Sequence, residues 1–137
     1  MGAWGIGFFE NDQAIDWKYE LLEGSDLSFV RETLEQAKVE EFLDADLSVQ
    51  ALAASEIIAA LLGKPGHEVK NNEGEIEDLV EWIARYQGKG KEKELTPLAL
   101  EVVNRIRLDS ELRDLWMDAE EFRKWDELLL DLERRLR

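Results

Sequence analysis

The chain contains no cysteine and only one histidine among its 137 residues. The absence of cysteine excludes disulfides, thiolate ligands for a metal ion and a cysteine nucleophile. It also agrees with a reducing compartment, so we expect a cytoplasmic protein. The single histidine, His67, follows Pro65-Gly66, and these turn residues indicate a solvated side chain rather than a general base.

Long hydrophobic runs are also absent. The most apolar stretch, Ala51 to Leu62, is interrupted by Glu56 and is too short to span a bilayer, which requires about 20 apolar residues. The first residues include apolar side chains but no basic segment of the kind that opens a secretory signal. We therefore expect neither a membrane-spanning helix nor a secretory signal.

Basic residues are scarce: 17 Lys and Arg stand against 32 Asp and Glu, a net charge of −15. A surface of this sign repels the phosphates of nucleic acids and the anionic headgroups of membranes, so we expect neither partner. A high net charge usually serves solubility, and the alternative is recognition of a basic protein. With 45% apolar residues, the chain can form one domain with a real core.

The apolar residues recur with the period of a helix, and glycine or proline separates the periodic segments. The pattern predicts one all-α domain over residues 1–137, with an irregular segment over 1–10 and a compact bundle of about five to seven helices over 11–137. The segment Ala51–Leu62 is apolar nearly all round and is predicted to lie at the centre. Thr96-Pro97 predicts a helix start. Residues 109–136 fit either one bent helix or two.

Glycine is concentrated at the N-terminus, where Gly2, Gly5 and Gly7 alternate with large apolar residues. We predict that this segment is a plug across the core, bent at Gly5 and Gly7, since glycine tolerates backbone conformations that other residues avoid. Residues 3–9 could instead pair as a short edge strand. A dinucleotide-binding loop is not expected, because a preceding strand and a third glycine are missing. The large apolar residues are Trp4, Ile6, Phe8 and Phe9.

The N-terminal motif is similar to that of a bacterial family called domain of unknown function 4259. The similarity is carried by Met1-Gly2-Ala3-Trp4-Gly5, Gly7, Phe9, Asn11-Asp12, Ala14 and Asp16-Trp17, and it extends through Asp26–Val30, Leu61–Gly66 and Ser110–Leu112. The chain departs from the family pattern at Phe8, where proline is common, and at Gln13, where an acid is common. The resemblance supports the predicted fold, and it implies no activity because the family has none assigned.

Two carboxylates near the start of the first predicted helix form one candidate site. Asn11 is predicted to cap this helix, and Asp12 and Asp16 are four residues apart, hence on one helix face. Such a pair could hold a hard cation or act as an acid and a base. The structural interpretation is that Asp12 favours the helix start and Asp16 pairs with a basic residue or an amide. A small enzyme or metal-binding protein using this pair is our alternative function.

The leading hypothesis is a non-enzymatic, acidic interaction module that needs no cofactor. A regulatory or toxin-neutralising role is one possibility for such a module. It rests on the net charge and on the absence of catalytic motifs. We expect the partner to be a basic protein, because complementary charge accelerates encounter. Aromatic residues at the edge of an apolar stripe can also anchor a partner. The predicted partner-binding residues are the densest local run of acids and one such tryptophan, namely Glu32, Glu35, Glu40, Asp44, Asp46 and Trp125.

Overall fold

The computed structural model describes residues 5–88 and 91–137, and these residues form eight helices and no strand. The predicted all-α fold is therefore confirmed, whereas the edge strand is not found in the described part of residues 3–9. The number of helices exceeds the predicted five to seven because a single-turn helix interrupts the loop after α3 and because the C-terminal segment is divided. The helices are α1 Asp12–Leu22, α2 Ser28–Val39, α3 Ala45–Leu61, α4 His67–Lys70, α5 Glu77–Tyr86, α6 Glu92–Leu108, α7 Glu111–Met117 and α8 Phe122–Leu136.

Helix α3 lies at the centre, as its nearly uniform apolar character predicted. Fifteen of its 17 residues are buried, and it packs against α1, α2, α5, α6, α7 and α8. Its many alanines allow neighbouring helices to approach on every side. The helix begins before the predicted Ala51, because the Asp44 side chain accepts a hydrogen bond of 2.7 Å from the Leu47 amide and caps the first turn.

The start of α1 is capped as predicted, and its buried face is tied to α2. The Asn11 side chain accepts a 2.8 Å hydrogen bond from the Ala14 amide. Trp17 is buried, and its indole nitrogen donates to the Thr33 hydroxyl over 2.9 Å. The Trp17 ring also stacks on Phe29, with ring centroids 5.2 Å apart. These contacts fix the position of α2 and therefore that of its outer surface.

The predicted helix start at Thr96-Pro97 is wrong. Helix α6 begins at Glu92, and Pro97 lies inside it. Proline lacks the amide that would bond to the preceding turn, so the position carries a local cost. Leu95 lies in this additional first turn and is buried in the core, and its burial offsets that cost.

The C-terminal segment forms two helices, which decides between the two interpretations of residues 109–136. The Ser110 hydroxyl accepts a hydrogen bond from the Arg113 amide and donates to the Ile106 carbonyl. It thereby caps α7 while holding it to the end of α6. No helix within residues 5–88 and 91–137 combines the length and the apolar character needed to cross a membrane.

Candidate functional site

The five predicted acids are all exposed and follow one another along α2, the loop after it and the start of α3. We call them the acidic face: Glu32, Glu35, Glu40, Asp44 and Asp46. Helix α2 buries Val30, Leu34 and Ala37. The helical period therefore turns Glu32 and Glu35 toward solvent. Glu40 and Asp44 lie in the connection between α2 and α3, and Asp46 lies in the first turn of α3.

Basic residues next to the acidic face are already engaged. The Lys38 ammonium lies 3.5 Å from the Glu101 carboxylate. Arg105 of α6 donates to the carbonyls of Ala37 and Glu41 over 2.8 and 3.0 Å, so it neutralises the C-terminal end of α2. No local pattern in the sequence indicates the contact with this arginine, because it is 68 residues from Ala37.

Exposed apolar side chains accompany the acids at the end of α2. Val39 is 73% exposed and Phe42 is 66% exposed, and Glu40 and Glu41 lie between them. Leu108 is 56% exposed and lies one turn beyond Arg105, which binds this end of α2. We call Val39, Phe42 and Leu108 the apolar end. Its position beside the acidic face was not predicted.

Trp125 does not belong to this surface. Its side chain is only 2% exposed, because it continues the buried face of α8 formed by Leu129, Leu132 and Leu136. The Phe122 ring covers it at a centroid distance of 6.0 Å. This burial contradicts the prediction that Trp125 contacts a partner.

Asp12 and Asp16 lie on one face of α1, and both are exposed. Asp12 is in the first turn, where its charge suits the helix start. Residues 5–88 and 91–137 contain no group of three or more His, Cys, Asp or Glu side chains suited to a metal ion. Within these residues, no third acid or histidine joins Asp12 and Asp16 to form a metal site.

A second site is a cavity of about 200 Å³ between the N-terminal segment, the Gly66–Glu73 region and α8. We call it the carboxylate cavity. Glutamates and one arginine form most of its polar wall, whereas the apolar wall comes from Ile6, Phe8 and Leu128. Its principal charged residues are Glu10, Glu56, Glu68, Asp131 and Arg135.

Carboxylates approach the backbone of the glycines around this cavity closely. A Cβ atom on Gly7 would lie 2.5 Å from Glu10 Oε1 and 2.8 Å from Glu68 Oε1. A Cβ atom on Gly66 would lie 2.8 Å from both Glu56 Oε1 and Arg135 Nη2. The chain does bend over residues 5–7, but Gly7 has no positive φ. Space for carboxylates, and not backbone freedom, explains Gly7.

The carboxylates also hold the N-terminal segment by hydrogen bonds. Glu10 accepts from the Gly7 amide over 3.1 Å, and Glu68 accepts from the Phe9 amide over 3.2 Å. Phe8 and Phe9 are buried in the core, which agrees with the predicted plug for the described residues. Trp4, the remaining aromatic residue of that prediction, lies outside them.

Burial changes the pKa of the Glu68 side chain. Loss of solvent around its side chain raises its pKa to about 7, against the opposing effect of the Phe9 and Phe8 amides. The charges of Glu10 and Glu56 raise it further. Glu68 is therefore a carboxyl group that can exchange a proton near neutral pH.

Glu56 is the most deeply buried carboxylate of the cavity, at 2% exposed. Its Oε2 accepts from the Gly66 amide over 2.7 Å. Arg135 Nη2 lies 2.9 Å from Oε1 and forms an ion pair with it. Burial raises the Glu56 pKa, and Arg135 opposes this effect.

His67 lies at the mouth of the cavity and remains accessible, as its turn position predicted. Its side chain is largely exposed, and Nδ1 lies 2.8 Å from Glu73 Oε2. No pattern in the sequence predicts this cavity. The one available signal was Glu56, an acid inside the most apolar run of the chain.

Comparison with known proteins places the chain in a family. The model of the family described as Domain of unknown function (DUF4259) matches residues 2–128. No curated protein and no solved structure gave a significant match. The chain belongs to the DUF4259 family, as its N-terminal motif predicted.

Proposed function

We propose that this DUF4259 protein is a non-enzymatic interaction module of the cytoplasm whose acidic face binds a basic protein. The observation that carries the proposal is the apolar end, which exposes Val39 and Phe42 directly beside the acids. Solvation alone would favour polar residues there. A regulatory or toxin-neutralising role would use the same surface.

The acids and the apolar residues contribute differently to such binding. Rim charges act chiefly on the rate of encounter, and they weaken as salt shortens the Debye length from about 30 Å at 0.01 M to about 8 Å at 0.15 M. Apolar anchors act chiefly on dissociation. Burying one phenylalanine stabilises a complex by about 1.5–3 kcal/mol.

The partner is therefore expected to carry Lys or Arg around a small group of apolar residues. Basic residues would face Glu35 and Glu40, whose carboxylates make no ion pair with the described residues. The apolar residues would cover Phe42. Phosphate-rich and anionic surfaces would be repelled by the same acids.

The proposal can be tested with a synthetic amphipathic helical peptide that carries Lys on one face and Leu on the other. Association and dissociation are measured by surface plasmon resonance at low and physiological salt. Replacing Glu35 and Glu40 together by Gln should lower the association rate constant about threefold to tenfold at low salt. Phe42→Ala should leave association unchanged and raise the dissociation rate constant about tenfold or more.

The matched control replaces Glu77 and Glu81 by Gln. These exposed residues lie on α5, and the change in net charge is the same. If both double variants reduce association equally, binding follows net charge and not the acidic face. If association does not depend on salt, the acidic surface serves solubility only and the proposal fails.

A further inference from the structure

We propose that the N-terminal segment over residues 5–10, which we call the strap, is a pH-sensitive closure that is released when the Glu68 carboxyl group loses its proton. Glu68 lies on α4, and its carboxylate accepts a hydrogen bond from the Phe9 amide over 3.2 Å. Release of the strap would break this bond and expose Phe8 and Phe9, which are buried. None of these residues belongs to the acidic face or to the apolar end, so the inference does not depend on the proposed protein interaction.

The strap forms a wall that two cavities share. Ile6, Gly7 and Phe8 line both the carboxylate cavity and a neighbouring cavity of about 230 Å³. The neighbouring cavity extends between α1, α3 and the start of α8, where Trp116 and Trp125 contribute to its wall. Movement of the strap would therefore join the two cavities.

One carboxylate joins the strap to a distant part of the chain. The Gly7 amide donates to the Glu10 side chain, and the Glu10 amide donates to the Gly7 carbonyl, both over 3.1 Å. These bonds lie within the strap. Among the described residues, the hydrogen bond from Phe9 to Glu68 is the one that connects it to a segment 59 residues away. The protonation state of Glu68 can therefore control whether the strap stays closed.

The closed strap places Glu68 beside a second carboxylate. A Cβ atom on Gly7 would lie 2.5 Å from Glu10 Oε1 and 2.8 Å from Glu68 Oε1, so the two carboxylates are near neighbours. Arg135 is directed to Glu56 and Asp131, at 2.9 and 2.8 Å. Two ionised carboxylates this close destabilise each other. The closed arrangement therefore favours a protonated Glu68.

Proton linkage fixes the direction of the effect. In the closed state the Glu68 pKa is about 7, because burial raises it above the ordinary value of 4.5 and the charge of Glu10 adds to the increase. Return to solvent would bring the pKa back toward 4.5, so the closed state keeps a proton that the released state loses. The ratio of released to closed molecules should therefore rise about tenfold from pH 6 to pH 8. The other titratable groups around Glu68 come from the strap, α3, α8 and residues 67–75, and they are Glu10, Glu56, His67, Glu73, Glu75, Asp131 and Arg135.

The test is amide hydrogen exchange of the full chain, followed by NMR at pH 6, 7 and 8. Each rate is compared with the intrinsic rate of an unstructured amide at the same pH, which gives a protection factor. The protection factor of the Phe9 amide should fall about tenfold from pH 6 to pH 8. That of Ile57, which is buried in α3, should remain at least about tenfold higher than that of Phe9 at pH 8.

Two results for the native chain would overturn the inference. The first is a Phe9 protection factor that does not change with pH. The second is equal protection of Phe9 and Ile57 at every pH, because the strap would then open only when the whole domain unfolds. Both results come from the native chain and do not require any variant to fold.

Variants assign the effect to Glu68. Glu68→Gln keeps an acceptor for the Phe9 amide, and its Phe9 protection factor should be the same at pH 6 and pH 8. Glu10→Gln should reduce the pH dependence, because the charge of Glu10 contributes to the raised pKa of Glu68. His67→Asn, which removes the imidazole, and Glu127→Gln, an exposed change on α8, should retain the full change. A tenfold change that persists in Glu68→Gln would refute the assignment.

Discussion

Glu68→Gln should change the pH dependence of stability. The carboxyl group has a folded-state pKa of about 7 against an ordinary value of 4.5. Between these pH values the folded chain keeps a proton that the unfolded chain releases. Glu68 therefore contributes stability that is fully present below pH 4.5 and is lost as the pH rises through 7.

The magnitude follows from the pKa difference. At about 1.4 kcal/mol for each pKa unit, ionisation of Glu68 costs the native state on the order of 3 kcal/mol by pH 8. Glutamine removes the charge, and its amide oxygen can still accept from the Phe9 amide. The variant should thus match the native protein within about 1 kcal/mol at pH 5 and exceed it by about 2–3 kcal/mol at pH 8.

The assay is urea unfolding at several pH values between 5 and 8, followed by tryptophan fluorescence, with the free energy of unfolding extrapolated to water. Glu127→Gln is the control, because its exposed side chain makes no ion pair among the described residues. The difference between the native protein and Glu68→Gln should grow with pH. Parallel curves for the two proteins would refute the reasoning, since Glu68 would then titrate alike in the folded and unfolded states.

Two further predictions concern the same region. Gly7→Ala should destabilise the fold by about 1–3 kcal/mol through crowding, whereas Gly24→Ala, where the nearest atom would lie 3.6 Å away, should change stability by less than about 1 kcal/mol; equal thermal melts would contradict this. Arg135→Met should destabilise by about 3–5 kcal/mol because it leaves a buried carboxylate unpaired, whereas the same change at the exposed Arg134 should cost less than about 1 kcal/mol in urea unfolding.

The sequence determined the features that depend on neighbours along the chain. The cap at Asn11 needs only the three residues that follow, and the observed hydrogen bond to Ala14 confirms it. The central position of α3 follows from its apolar character on all sides, which leaves no face for solvent. The exposure of Glu32 and Glu35 follows from the helical period.

Tertiary structure decided where distant segments meet. Pro97 looked like a helix start, but burial of Leu95 extended α6 in front of it. Trp125 looked like the edge of a stripe, but the neighbouring helices enclosed it. In both cases the free energy of packing exceeded a local preference.

The carboxylate cavity depends on the same kind of information. Glu68 meets the Phe9 amide across 59 residues of chain, and Arg135 reaches Glu56 from the other end of the protein. The sequence shows only that residue 7 is a glycine. The structure shows that the Glu10 and Glu68 carboxylates lie close to where a Cβ atom on Gly7 would be. Desolvation and the distances between charges depend on the three-dimensional packing and not on the order of residues along the chain. The raised pKa of Glu68 therefore arises only when these segments pack together.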